Sequence, residues 1–324
     1  MAEWLYEEGI GESRAILVEA GETVEAIIEL PCAMRAGAIL PARLAKILVP
    51  GRRALAVTGD GEAMVEPLPP KLTEGAAVRI EILRDPIPES GRPKLAKARI
   101  TDADLRPAPT LRERRGTPRP QPLIGPDLFE QAGWSELLEE ARTGEIAFPG
   151  GALRMSLTPA MTLFDVDGAL PPADLAVAGA AAAARAIRRF GIGGSIGIDL
   201  PTLAKADRQA PADAVDAHLP QPFERTGVNG FGFLQIVRRR ERVSIPELVQ
   251  LTPVPTAARA LLRRAERSQG HGARTLTAAP QVIAEIEAHP AWTDELARRL
   301  GTPIRLQADP RLAISAGHVH SAHA

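Results

Sequence analysis

The chain has one cysteine, Cys32, among its 324 residues. That excludes an intramolecular disulfide framework and a zinc site built on several cysteines. Aromatic residues make up only 3% of the sequence, too few for a surface that stacks many bases. Charge of one sign is not in excess. Lys and Arg number 39 and Asp and Glu 40, a formal net charge of −1, so no global basic field advertises a polyanion partner. Long apolar runs are missing too: the stretch "AVAGAAAAARAIRRFG" (176–191) is too short and too rich in Arg to span a bilayer. The first residues, "MAEWLYEEG", are acidic and do not read as a secretory signal. These absences predict a cytoplasmic protein without a membrane partner.

What is present is ordinary globular material, 45% apolar and 24% charged, with length enough for two or three domains. The basic residues are bunched. Arg112, Arg114, Arg115 and Arg119 form one group, Arg185, Arg188 and Arg189 a second, and "RRRER" (238–242) a third. Each is either a local patch for an anionic partner or a solvated face.

Short apolar runs at 12–18, 23–30, 38–49, 53–58, 62–66 and 76–84 are separated by turn signals such as "GDG" and "LPP", which predicts a small β-barrel within the first hundred residues. Residues 105–126 are rich in Pro and Arg and lack periodicity, reading as a linker or extended arm. One helix is expected at 127–143. The pattern then turns to α/β: a hairpin from 151–159 and 160–167, an Ala-rich helix at 172–190, a strand in "GSIGIDL", a helix at 208–218 and a strand in 230–239. The remainder reads as helix, strand, two helices and a short strand. The terminal "GHVHSAHA", with His318, His320 and His323, is expected to fray rather than to bind metal. "GIGGSIG" precedes a strand rather than following one, so it does not read as a phosphate loop.

Two stretches carry chemistry. In "MTLFDVDG" (161–168), Asp165 and Asp167 interrupt an apolar run two places apart, so both fall on one strand face while Phe164 and Val166 fall on the other. In "GGSIGIDLP" (193–201), Asp199 comes near the strand end. If these strands pair, Asp199 joins the same face. Converging carboxylates repel unless a cation lies between them, and oxygen-only donors suit Mg²⁺ or Mn²⁺. The alternative is that these residues merely end strands or cap the next helix.

The stretch "AFPGGALRMSLTPAMTLFDVDGA" (147–169) resembles the ribonuclease E/G family, whose blocks include an "LPSGG" turn, a strand and "T-x-I-D-x-N-S". "AARAIRRFGIGGSIGIDL" (183–200) is similar to the next block, and "GFGFLQIVRRR" (230–240) to the one after it. "EGAAVRIEILRDPIPESGRPKLAKARI" (74–100) resembles the last strands of that family's RNA-binding barrel. The blocks keep their order over most of the chain. The resemblance implies an α+β, multidomain protein. Its parts would be an OB-type barrel with flanking N-terminal strands (1–104), a linker and helix (105–145), a DNase-like catalytic subdomain (146–250) and a small C-terminal α/β extension (251–324). It implies a Mg²⁺-dependent endoribonuclease, a hydrolase of single-stranded RNA. Asp165 and Asp199 match the metal-binding aspartates. Asp167 stands where the family has an Asn that orients water or phosphate. Arg188 matches a basic residue of the crossover helix, and Arg238 and Arg240 match the basic end of the third block. In the barrel, Arg52, Arg53, Arg92, Lys94 and Lys97 would contact RNA through its backbone.

The chain also departs from that family. The insertion carrying a 5′-monophosphate pocket is missing, Gly230 replaces an Arg, and Asp167 adds a negative charge. No cysteine lies near "LTPVP" (251–255), where the family shares a zinc across a dimer. No zinc is therefore expected, and a homodimer would have to form without that link. Stacking aromatics are absent from "RRALAVTGDGEAMVEP" (52–67). These departures keep open a second reading, an RNA-binding protein with weak or no nuclease activity.

Overall fold

The computed structural model describes residues 2–88 and 93–323, and for residues 322 and 323 the backbone alone. In chain order the strands are β1 Glu3–Glu8, β2 Ser13–Glu19, β3 Glu22–Glu29, β4 Ile39–Val49, β5 Arg53–Thr58, β6 Gly61–Val65, β7 Ala77–Arg84, β8 Ala96–Ile100, β9 Arg119–Pro120, β10 Glu145–Phe148, β11 Gly151–Leu157, β12 Thr162–Gly168, β13 Gly194–Asp199, β14 Glu224–Arg225, β15 Phe233–Arg238, β16 His271–Ala278, β17 Ile304–Ala308 and β18 His318–His323. The helices are α1 Leu111–Arg114, α2 Leu128–Gln131, α3 Trp134–Thr143, α4 Pro172–Arg189, α5 Gln209–His218, α6 Ile245–Leu251, α7 Pro253–Arg267, α8 Pro280–Glu287 and α9 Pro290–Leu300. The fold is mixed α+β, and no helix among the described residues is long and apolar enough to cross a membrane.

The chain divides into two compact units, each assembled from separate stretches. One comprises Met1–Pro31, Arg115–Arg142 and Leu248–Ala324, the other Cys32–Arg114 and Thr143–Glu247.

The second unit holds a closed five-stranded barrel in the order β4-β5-β6-β8-β7. All its pairs are antiparallel except β6 with β8. Its interior is filled by small and branched residues, among them Ala54, Ala56, Ala63, Val65, Ile80, Ile82, Ala96 and Ala98. Alanines suit this place because the inside of a five-stranded barrel has little room. The barrel opens at Ile39 rather than at the first strands of the chain, which pair elsewhere.

The same unit holds a six-stranded sheet, β10-β11-β12-β13-β15-β14. Only β12 and β13 run parallel, joined by α4 as the crossover. Leu153, Met155, Phe164, Val166, Ile196, Ile198, Leu234 and Ile236 are buried on one face. Helix α4 contacts β10, β11 and β12 and buries Leu175, Ala176, Ala180, Ala183, Ala184 and Ile187. Alanine is the best helix former and keeps a packed helix slim. Pro172 starts α4 at a position that needs no N–H donor.

The first unit has two sheets of its own. Strands β3-β2-β1-β9 form one, and β17-β16-β18 the other. The Pro/Arg-rich segment is therefore not only a linker: Arg119 and Pro120 pair with Leu5 and Tyr6 of β1. The helix expected at 127–143 is broken. Gly133 takes φ +81° between α2 and α3, and Asp127 caps α2 by accepting the Glu130 N–H at 3.0 Å. The histidine tail does not fray. Residues 318–323 form an edge strand on β16, pairing His318 with Thr277 and His320 with Thr275.

A buried ion network ties this unit together. Glu7 accepts from Arg14 Nη1 at 2.8 Å, Arg263 Nε at 2.7 Å and Arg267 Nη2 at 2.5 Å. Glu12 accepts from Arg14 Nε at 2.6 Å and Arg259 Nε at 2.8 Å, and Arg263 also reaches Asp127 at 2.7 Å. Burial works to raise the Glu7 pKa, but the guanidiniums of Arg14, Arg263 and Arg267 outweigh it and hold the carboxyl at about 2.

Candidate functional site

The face of the six-stranded sheet opposite α4 carries the polar residues. Asp165 and Asp199 are direct partners in the β12–β13 ladder, and theirs is the last pair of it. Neighbouring strands lie about 4.8 Å apart, and partners in register share a face, so the two carboxylates converge. Both residues are exposed, while Phe164 and Ile198, one position back on each strand, are fully buried. The local cause is plain: apolar residues at alternate positions seat the strands on α4, which turns the intervening aspartates outward.

The register continues this row across five strands. Glu145 pairs with Arg154, Arg154 with Asp165, Asp165 with Asp199, and Asp199 with Phe233. Arg154 is exposed and flanks the pair on one side. On the other side, a Cβ at Gly197 would meet the Phe233 ring at 2.4 Å and Leu163 at 2.9 Å. Glycine there lets both side chains close over the strand as an apolar floor beside the carboxylates. Asp167 pairs with Ala152 and is also exposed. It lies roughly 7 Å farther along β12, past the last β12–β13 pair.

The basic residues expected at this site are placed elsewhere. Arg238 pairs with Gly194 at the start of β13, about 16 Å from Asp199 at the strand rise of roughly 3.3 Å per residue. Its Nη1 donates to the Ile192 carbonyl at 3.2 Å. Arg240 is ion-paired to Glu247. Arg188 occupies the last turn of α4, and the crossover brings that end of the helix to the start of β13, not to its carboxylate end. Cations in a last turn complement the helix dipole, which gives Arg188 a structural role. Arg188, Arg238 and Arg240 are thus not brought to the aspartates.

In the barrel, Glu66 gathers three of the expected RNA-contacting cations. Arg53 lies 3.2 Å from it, Lys97 3.4 Å and Arg52 3.8 Å. The hydrogen bond from Arg53 leads in holding the Glu66 carboxyl below its usual range. Lys94 forms a backbone bridge with Ile87, and Arg92 lies outside the described residues. Arg53 opens β5, Arg52 precedes it and Lys97 lies on β8, so only the fold reveals that they share one counter-charge.

The donor set at Asp165 and Asp199 fits a hard cation, which takes carboxylate oxygens and keeps several waters. Among the described residues no group of three or more His, Cys, Asp or Glu side chains is gathered to hold a metal. The carboxylates adjacent to each other on this row are Asp165 and Asp199, with Glu145 two strands away beyond Arg154, and water and substrate oxygens would supply the other ligands.

Sequence reasoning missed Arg154, although "GALRMSL" placed against "TLFDVDG" in a hairpin carries the signal. It also missed Phe231, whose 86% exposure depends on the loop before β15. A cavity of about 700 Å³ in the first unit, lined by Leu138, Ala257, Leu261, Ile314, Arg142 and Arg264 among others, contains none of the candidate site residues. Two of its cations are engaged: Arg142 pairs with Glu139, and Arg264 donates to the Gly317 carbonyl. A comparison with models of protein families finds none that matches the chain, and a comparison with curated proteins finds no match.

Proposed function

We propose that the chain is a Mg²⁺-dependent endoribonuclease acting on single-stranded RNA, of the ribonuclease E/G type, with an OB-type barrel and a DNase-like catalytic sheet. The observation that carries the reading is the in-register, solvent-facing pair Asp165–Asp199 at the carboxyl end of two parallel strands, where open α/β sheets take their ligands. Asp165 and Asp199 would hold the metal, with Mn²⁺ as a substitute. When bound, such an ion lowers the pKa of a water and offsets charge on phosphoryl oxygens. Asp167 stands one pleat away, placed to accept a hydrogen bond from a water approaching the row. Arg154, across the ladder from Asp165, offers a guanidinium to a phosphate oxygen. The test is cleavage of a labelled single-stranded RNA with and without Mg²⁺.

The second reading, RNA binding with weak or no cleavage, is favoured by the distance of Arg188, Arg238 and Arg240 from the aspartates. Either way the barrel's contribution is electrostatic. Glu66→Gln releases Arg52, Arg53 and Lys97 from their shared carboxylate. RNA affinity should rise several-fold, and the slope of log K against log salt should steepen by about 0.7 for one added phosphate contact. Fluorescence anisotropy over a salt series checks this. An unchanged affinity and slope would remove the barrel from the RNA path.

A further inference from the structure

Among the described residues Phe231 is the one exposed Phe, Trp or Tyr, with 86% of it exposed. The other ten aromatic residues are buried or half-buried. Its loop is held firmly. The Asn229 side-chain oxygen accepts from the Phe231 N–H at 2.9 Å and from the Phe233 N–H at 3.0 Å. Asn229 N–H donates to the Phe233 carbonyl at 3.0 Å, and Leu200 N–H to the Gly232 carbonyl at 3.1 Å. Gly232 has φ +90°, and a Cβ there would lie 2.2 Å from the Leu200 carbonyl oxygen, so only glycine closes the loop against the end of β13. The loop backbone that carries the ring is thereby held at the end of the sheet where Asp199 faces Phe233.

A cation stands beside the same loop. Arg208 Nε and Nη2 both donate to the Leu203 carbonyl, at 3.2 and 3.1 Å. This anchors the guanidinium and turns Nη1 toward Gly230, 3.9 Å from where a Cβ would be. An exposed ring on a held loop and an anchored guanidinium beside that loop, at the sheet end that carries Asp199, match the parts of a nucleotide: an aromatic base and an anionic phosphate. The ring does not serve packing, since it buries little.

We infer that Phe231 is a stacking platform for one unpaired nucleobase of the strand lying on the Asp165–Asp199 edge, with Arg208 facing that nucleotide's phosphate. The inference rests on the proposed RNA-cleaving reading of that edge. It explains how a chain poor in aromatics selects single strands: a base within a duplex is already stacked on its neighbours and cannot reach the ring. One platform suffices where backbone contacts supply the rest of the affinity.

The test measures binding of a short single-stranded RNA in EDTA by the full chain, Phe231→Ala and Phe231→Trp, alongside cleavage in Mg²⁺. Phe231→Ala should weaken binding roughly 5- to 150-fold, while Phe231→Trp should bind as tightly as wild type or more tightly. In an RNA series with a single abasic nucleotide stepped along the strand, one position should weaken wild-type binding equally and add nothing to Phe231→Ala. Equal binding by wild type and Phe231→Ala, or additive losses at every abasic position, overturns the platform even if RNA is cut. Loss of affinity in Phe231→Ala with no cleavage by any variant supports the platform and removes the nuclease.

Discussion

Asp199→Asn is expected to lower Mg²⁺-dependent cleavage of single-stranded RNA by about 10³-fold, a loss of roughly 4 kcal/mol of transition-state stabilisation. The substitution keeps the shape of the side chain and the β13 ladder. It removes one of the two carboxylates that are direct ladder partners, so the remaining charge is too little to hold a divalent ion firmly. RNA affinity in EDTA should stay level or tighten, because a carboxylate no longer repels the phosphate. Asp167→Asn is the companion. Asp167 stands past the last β12–β13 pair, and the role proposed for it is a hydrogen bond that an amide also makes, so its loss of charge should keep or raise cleavage. Equal damage from both substitutions would mean that the site does not distinguish ligand from neighbour.

The second large effect is on stability. Glu7→Gln is expected to destabilise the first unit by about 3–5 kcal/mol at pH 7, the cost of breaking a buried ion pair and leaving its partners uncompensated. Glu7 is 4% exposed and is shared by Arg14, Arg263 and Arg267. Its pKa is depressed from 4.5 to about 2. The stability it contributes is therefore fully present above about pH 4.5 and lost as pH falls through 2, a change of about 3 kcal/mol. In urea melts the gap between wild type and Glu7→Gln should hold from pH 7 to 5 and close toward pH 2. Taking the difference cancels the other carboxylates. A gap that ignored pH would show that Glu7 is not charged in the folded chain.

What could be read in the sequence follows from range. Alternation and turn residues are local, so β2 to β7 and the β11–β12 hairpin are legible in the runs that form them. The outward placement of Asp165 and Asp167 follows from the period of two. The pairing of Asp165 with Asp199 is not local. It depends on the length and seating of α4, and parity alone permits several registers. Arg188, Arg238 and Arg240 illustrate the limit: block order puts them near the aspartates in sequence, yet strand direction carries them to the other end of β13. Gly133 breaks a helix whose apolar spacing is continuous across it, because its left-handed φ outweighs the periodicity. The tail at 318–323 has no strong strand composition and is ordered by the free edge of β16. Glu66 shows the same rule for charge, since the share of one carboxylate among Arg52, Arg53 and Lys97 exists only once β6 and β8 lie side by side.

The most direct measurement is to incubate the purified full chain with an end-labelled single-stranded RNA, in EDTA, Mg²⁺ or Mn²⁺, at protein concentrations where anisotropy shows the RNA to be bound. The account predicts internal cleavage that needs Mg²⁺ or Mn²⁺, stops in EDTA, and is lost in both Asp165→Asn and Asp199→Asn while binding persists. RNA that is bound yet remains intact in all three conditions, or cleavage that survives both substitutions, would contradict it.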